Sequence, residues 1–226
     1  MTPGGPAERL DTAHALWDER WSDAAGRAPW SVAEPQVVAT FDRLLDRGAT
    51  AVLDLGAGVG RHAFAYARAG LRVVALDAST RGVAEVAAGA RADGLTVATA
   101  VAGFTAVPLA AGSVDHVLAW NVLYHGDTEV AARGLRECAR VLRGEGTLQC
   151  TMLSTRHRSF GVGREVRPHT FVDEESPSDK RHPHVYVDED ELVALLARAG
   201  FRVDTMDDVD QQPEGSFHWT VSAERR

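Results

Sequence analysis

Cysteine, long apolar runs and positive charge are all scarce in this chain, and each scarcity closes off a class of function. Only Cys138 and Cys150 occur among 226 residues, and two cysteines without metal-motif spacing exclude both a disulfide framework and a cysteine-built metal site. Cys138 falls in an amphipathic helical stretch and belongs to the core. No segment approaches the ~18 consecutive apolar residues that a membrane span needs. The first residues, MTPGGPAERLDTAHALW, lack an apolar stretch of signal-peptide length. A cytoplasmic, soluble protein without a membrane partner is therefore expected. Lysine and arginine total 24 against 32 acidic residues, a formal charge of −8, so the surface repels polyanions and nucleic acid is an unfavoured partner. There is no internal repeat. What is present, 45% apolar and 25% charged residues, suits a chain that buries a full core, and the length fits one α/β domain spanning 1–226.

Short Val/Leu-rich runs at 51–55, 71–76, 95–101, 114–120 and 146–153 alternate with helix-length segments. That alternation is the mark of βαβ units and of a parallel sheet covered on both faces, a doubly wound α/β fold. Ser79 or Thr80 is placed to cap the helix that closes at Gly94, and Asp127 the one that closes near Gly144. Pro35 and Gly48 bracket one more helix, so 1–48 reads as an N-terminal helical cap. After the fifth strand the rhythm breaks: 154–187 is polar and rich in His, Arg, Pro and Gly, a length that compact domains reserve for lids and binding loops. Two last runs, FRVDTM and FHWTVSAE, flank a loop with Pro213 and Gly215 and suit an antiparallel pair. The expected sheet has seven strands, the last one antiparallel.

The stretch AVLDLGAGVGRHAFAYARAGLRVVALD holds the chemistry. A glycine-rich turn between strand and helix, followed ~20 residues later by an acid that ends the next strand, marks a nucleoside-type cofactor whose ribose hydroxyls bind that acid. Asp77 is so placed. The dinucleotide pattern G-x-G-x-x-G is incomplete, because Gly56, Gly58 and Gly60 are followed by Arg61 where the last glycine should stand. Asp54, two residues before the first glycine, would repel a pyrophosphate but suits a ligand with a cationic ammonium. Both facts disfavour NAD and favour S-adenosyl-L-methionine.

On VLDLGAGVGR at 52–61 the chain resembles the class I S-adenosylmethionine-dependent methyltransferases, with a Rossmann-like seven-stranded fold. The resemblance implies roles residue by residue. Asp54 and the backbone of Gly56, Ala57, Gly58 and Gly60 would cradle the methionine moiety, Asp77 would hold the ribose and Ala78 would lie beside the adenine. SVDHVLAWNVLYH resembles the fourth-strand motif, placing Trp120, Asn121 and Val122 on the cofactor cleft. Where many relatives carry an acid after the third strand, AGFTAVPL offers Gly103 and Phe104, so adenine recognition would use backbone groups and packing on Phe104.

The acceptor side is expected beyond the carboxyl ends of the strands. Trp17 and Trp21, four apart, share a helix face and are expected to pack on the core, whereas Trp30 sits between prolines where an aromatic could close over the cofactor. That texture is loosely similar to the thiopurine and tellurite-resistance methyltransferases. The 154–187 segment would be a lid bending at Gly161 and Gly163. His182 and His184, two apart in an extended segment, point to one side, and without partners at metal-motif spacing no metal is assigned to them. His125 follows the fourth strand directly. His125, His182 and His184 are the candidates for a base or orienting group, and Trp30, His169 and Tyr186 for substrate contacts. The Pro-Pro-aromatic run used on nucleic-acid amino groups is absent after Asn121. A small-molecule acceptor with an O, N, S or metalloid nucleophile leads; a peptide or protein acceptor and a non-catalytic cofactor-binding partner module are the alternatives.

Overall fold

The computed structural model describes residues 12–211 and 213–226, so the first eleven residues of the expected N-terminal cap lie outside the described residues. Among the described residues ten strands form the sheet: β1 (Ala51–Leu55), β2 (Arg72–Asp77), β3 (Val97–Val101), β4 (Val114–Ala119), β5 (Leu142–Ser154), β6 (Arg164–Arg167), β7 (Thr170–Val172), β8 (His184–Val187), β9 (Phe201–Gln211) and β10 (Ser216–Arg225). The helices are α1 (Ala13–Arg20), α2 (Ala24–Arg27), α3 (Pro35–Val38), α4 (Phe41–Asp46), α5 (Arg61–Arg68), α6 (Thr80–Ala92), α7 (Thr128–Val141) and α8 (Glu189–Arg198). The single helix expected between Pro35 and Gly48 is two short ones, α3 and α4, broken at Ala39 and Thr40.

Strands β1 to β5 run parallel in the order β3-β2-β1-β4-β5. On its far side β5 pairs with β10, antiparallel from Thr147 to Leu153, and β10 pairs antiparallel with β9. These seven are the expected sheet with the reversed last strand. Fully buried strands explain the continuous apolar runs: every residue of β1 is buried, and Leu53, Val117 and Leu118 have no accessible surface. Truncating one of these to alanine costs about 2–5 kcal/mol, transfer and cavity terms together. The caps are those expected: Gly82 N donates to Ser79 Oγ (3.0 Å) and Val130 N to Asp127 Oδ1 (2.9 Å).

The 154–187 segment differs most from its reading as a bending lid. It is an outer wing of the sheet. β6 and β7 form a hairpin, β7 pairs with β8, and β8 joins the tip of β5 through Leu153–Tyr186 and Ser154–Val187. The β8 edge that meets β5 also holds the segment after β4: Val185 N donates to Tyr124 O (3.0 Å) and Gly126 N to Pro183 O (2.9 Å). Gly163 is a fixed corner, since a Cβ there would lie 2.3 Å from Val172 O. Among the described residues no helix is long and apolar enough to cross a membrane.

Candidate cofactor and acceptor site

A cavity of about 300 Å³ opens at the carboxyl ends of β1, β2 and β4, the place a doubly wound sheet offers a ligand. Its floor is the glycine turn. Gly56 and Gly58 have φ of 73° and 55°, and a Cβ on Gly56 would come within 2.7 Å of Val122; the backbone can therefore lie flat against the β4 segment only without a side chain. Gly56, Ala57 and Gly58 line the cavity, as do Asp77, Ala78, Gly103, Phe104, Trp120, Asn121, Val122, His125 and Trp30. Asp77 is already held by backbone donors, Oδ2 by Gly58 N (2.8 Å) and Oδ1 by Ser79 N (2.7 Å), while burial raises its pKa. Its carboxylate is thus fixed against the turn with lone pairs left for a ligand.

Asn121 adopts a left-handed φ of 59°, which asparagine tolerates better than most residues. Thr151 fixes it from both ends: Oγ1 accepts from Asn121 N (2.8 Å) and donates to Oδ1 (2.9 Å).

Two of the expected cofactor residues stand behind the wall. Gly60, φ 91°, turns the chain into α5, and a Cβ there would meet Phe64 at 2.9 Å; its role is in shaping the turn. Asp54 is 1% exposed and does not line the cavity. Its Oδ2 has no hydrogen-bond partner among the described residues, and burial lifts its pKa to about 7. The carboxyl group therefore lies beneath the turn, out of contact with the cavity.

The roof comes from the N-terminal segment. Trp17 and Trp21 stack at 5.1 Å, and Trp30 meets both edge-on, at 5.1 and 5.9 Å. All three line the cavity; Trp21 is buried as expected, whereas Trp17, only partly buried, serves the cavity instead of the core. Trp21 presses on the glycine turn, its Cζ2 3.2 Å from where a Gly58 Cβ would be. Asp18, between them, ties α1 to the start of α6 by accepting from Ser79 Oγ (2.7 Å) and Arg81 N (2.9 Å). Arg61 pairs with Glu34 (2.8 Å) and lies over Trp30 at 5.1 Å. His62 accepts from Glu34 N (3.2 Å), and burial depresses its pKa to about 3. Asp18 and His62 carry no motif in the sequence. Trp17 and Trp21 carried one visible signal, helical spacing, which serves a roof as well as a core.

At the other end of the cavity His125 meets the wing. Its ring lies 4.7 Å from that of His184, across an isolated backbone bridge between the two residues. His184 is fully buried, with Nδ1 2.7 Å from His182 O and Nε2 3.3 Å from Asp179 Oδ2. His182 does not join them: its Nδ1 bonds Thr12 Oγ1 (2.8 Å). His169 and Tyr186 are also away from the cavity. His169 is the left-handed turn of the β6–β7 hairpin, bonded to Glu191 (3.1 Å), and Tyr186 is buried among His157, Phe160 and Phe171. Both were placed by composition of the insertion, and the pairing of β8 with β5 turns them outward or into the core.

Residues 52–146 match the family described as "Methyltransferase domain". Two probable S-adenosylmethionine-dependent methyltransferases of Mycobacterium tuberculosis, from strains CDC 1551 / Oshkosh and H37Rv, are each 35% identical over 180 residues, 79% of this chain and 56% of theirs. Over 79% of its length the chain is thus similar to probable S-adenosylmethionine-dependent methyltransferases. It spans little more than half the length of these relatives. Among solved structures, the chain resembles the 1,6-didemethyltoxoflavin-N1-methyltransferase of Burkholderia thailandensis with bound 1,6-didemethyltoxoflavin and S-adenosylhomocysteine. That match has TM-score 0.72 and 22% identity over 99% of this chain and 93% of that one. It also resembles the magnesium protoporphyrin IX methyltransferase of Synechocystis PCC 6803 with S-adenosylhomocysteine, at TM-score 0.70 and 17% identity over 96% and 97%. At these identities the two structures establish the shared fold.

Proposed function

We propose that the chain transfers a methyl group from S-adenosyl-L-methionine to a small-molecule acceptor. The observation that carries this reading is one continuous cavity with the glycine turn and Asp77 at one end and His125 at the other, under a tryptophan roof. The donor set fits the cofactor. Trp21 and Trp120 line the cavity, and each keeps a buried indole N–H without an acceptor among the described residues, which a ligand carboxylate or ring nitrogen would supply. The buried charge of Asp54 favours a cationic ligand above the turn, and Asp77 suits a ribose diol.

When bound, the cofactor's sulfonium supplies an electrophilic methyl group. The chain's tasks are then alignment, exclusion of water and disposal of a proton. Trp17, Trp21 and Trp30 cover the cavity and keep water out. His125 faces the acceptor and orients it, and His184 holds His125 from behind. The 154–187 wing backs the acceptor side through the contact of His184 with His125. The enclosed cavity, the net charge of −8 and the small-molecule substrates named for the two solved neighbours support a small acceptor over nucleic acid or protein.

Incubation with methyl-labelled S-adenosylmethionine and a panel of phenols, enolisable acids, amines and thiols tests the reading. S-adenosylhomocysteine formed in step with a labelled small product is the expected result. Cofactor binding without turnover across the panel would return the chain to a non-catalytic binding module.

A further inference from the structure

Three metal-ligating side chains converge where the wing meets the cavity: one donor atom each from His125, Asp179 and His184 lies within 4.8 Å of the other two. None shares a local motif with another. They come together because β8 is hydrogen-bonded against the 124–126 segment, and the short turn before β8 carries Asp179 back over them.

The hydrogen bonds around His184 fix its tautomer. A carbonyl can only accept, so the 2.7 Å contact with His182 O puts the proton on Nδ1. In the neutral ring Nε2 is then a bare lone pair, and it faces the Asp179 carboxylate oxygen at 3.3 Å. Two acceptors at this distance need a cation between them. A proton can bridge two lone pairs, but a third donor is present: His125 is 8% exposed, and its Nδ1 has no hydrogen-bond partner among the described residues. Donors around a tetrahedral ion with bonds of ~2.1 Å stand about 3.4 Å apart, so closing on an ion takes movements of roughly 1 Å. A backbone carbonyl behind a ligating histidine is the usual outer support of such a site.

We propose that His125, Asp179 and His184 bind a first-row divalent metal ion at the acceptor end of the cavity. Two imidazoles and one carboxylate suit zinc, iron(II) or cobalt(II) and leave coordination positions open on the cavity side. Lys180, the chain's single lysine, sets what fills them. Its Nζ lies 3.9 Å from the other carboxylate oxygen, Oδ1, and 5.5 Å from the centre of the Tyr124 ring. One carboxylate and one ammonium cancel, so a divalent ion leaves a double positive charge in a mostly buried place, which is costly unless an anion completes the shell. The ligand class is therefore an acceptor with two neighbouring oxygens, at least one ionised. The ion would act on it as a Lewis acid that lowers the oxygen's pKa and fixes its position. This assignment of the acceptor rests on the methyl-transfer reading; the ion site itself does not.

The test is titration of chelator-treated protein with Co²⁺, followed by its visible absorption and competed with Zn²⁺. One Co²⁺ per chain, with affinity lowered at least about 100-fold in His184→Gln and Asp179→Asn, supports the site. His157→Gln, at a neighbouring histidine outside the three, should leave binding unchanged. Lys180→Met should tighten it. Absence of Co²⁺ binding in the wild type, or equal binding in the two ligand variants, overturns the proposal. If a ligand variant fails to fold, X-ray absorption on the zinc-loaded wild type decides: two imidazoles and a carboxylate support the site, and any other shell rejects it. Turnover unaffected by chelators in a protein that binds no Co²⁺ would reject the ion and keep methyl transfer; Co²⁺ binding without turnover would do the reverse.

Discussion

The glycine-turn side of the cavity and the wing side were built by different kinds of sequence information. The turn is local: Gly56 to Asp77 spans one βαβ unit, and each residue's place follows from strand, turn and helix geometry. The wing is assembled over distance: His125, Asp179 and His184 meet because a four-residue strand, β8, bonds along one edge to both β5 and the 124–126 segment and along the other to β7. Cofactor binding should therefore depend on the first region and acceptor chemistry on the second, and variants that separate the two effects break or sharpen that division.

The largest separation is expected at His125. His125→Asn should lower turnover by roughly 10²–10⁴ while S-adenosylhomocysteine affinity stays within a few-fold. Equal losses in both would merge the two regions. Asp77→Ala is the mirror case. Removing charge-assisted hydrogen bonds worth about 3 kcal/mol should weaken S-adenosylhomocysteine binding about 100-fold; near-wild-type affinity by calorimetry would displace the ribose site.

Protonation tests both regions together. Burial depresses His62, His116 and His157 to about 3 and His218 to about 4, so these rings fold neutral. Their stabilisation is complete above the unfolded value near 6.5 and is lost as pH falls from there toward about 3, by about 1.4 kcal/mol per pH unit for each proton taken up. Asp54 opposes them. Its folded pKa is raised to about 7, so its cost grows from pH ~4 to ~7 and is relieved on acidification. The four rings outweigh Asp54 and Asp77, whose pKa burial also raises, and urea denaturation should show stability falling steeply between pH 6.5 and 5. A flat profile would mean that the rings are not buried neutral.

The smallest effect is predicted for His169→Asn, on the outer hairpin. Asparagine accepts the left-handed φ, so stability should hold within about 0.5 kcal/mol and KM within about twofold. A large rise in KM would bring the hairpin into the acceptor site.

The same division explains what could be read from the sequence. Strand order, both helix caps and the run of cofactor-side residues from Gly56 to Val122 follow from periodicity and motif, because they depend on neighbours within a few residues or one βαβ unit. Gly60 and Asp54 were recognised by motif, but a motif does not say which side of a turn a group occupies. Trp17 and Trp21 show the limit of periodicity, since a helix face over a cavity repeats like one over a core. Asp179 was out of reach: it meets His184 through the turn before β8, and both meet His125 only through a strand pairing that four residues, HVYV, could not announce. His169 and Tyr186 failed for the same reason.

The most direct test of the account is calorimetric titration of the purified protein with S-adenosylmethionine, S-adenosylhomocysteine and NADH. Saturable binding of the first two and none of the third is predicted, with the Asp77→Ala protein shifted about 100-fold. Binding of NADH alone, or of none of the three, would contradict the assignment of the glycine turn.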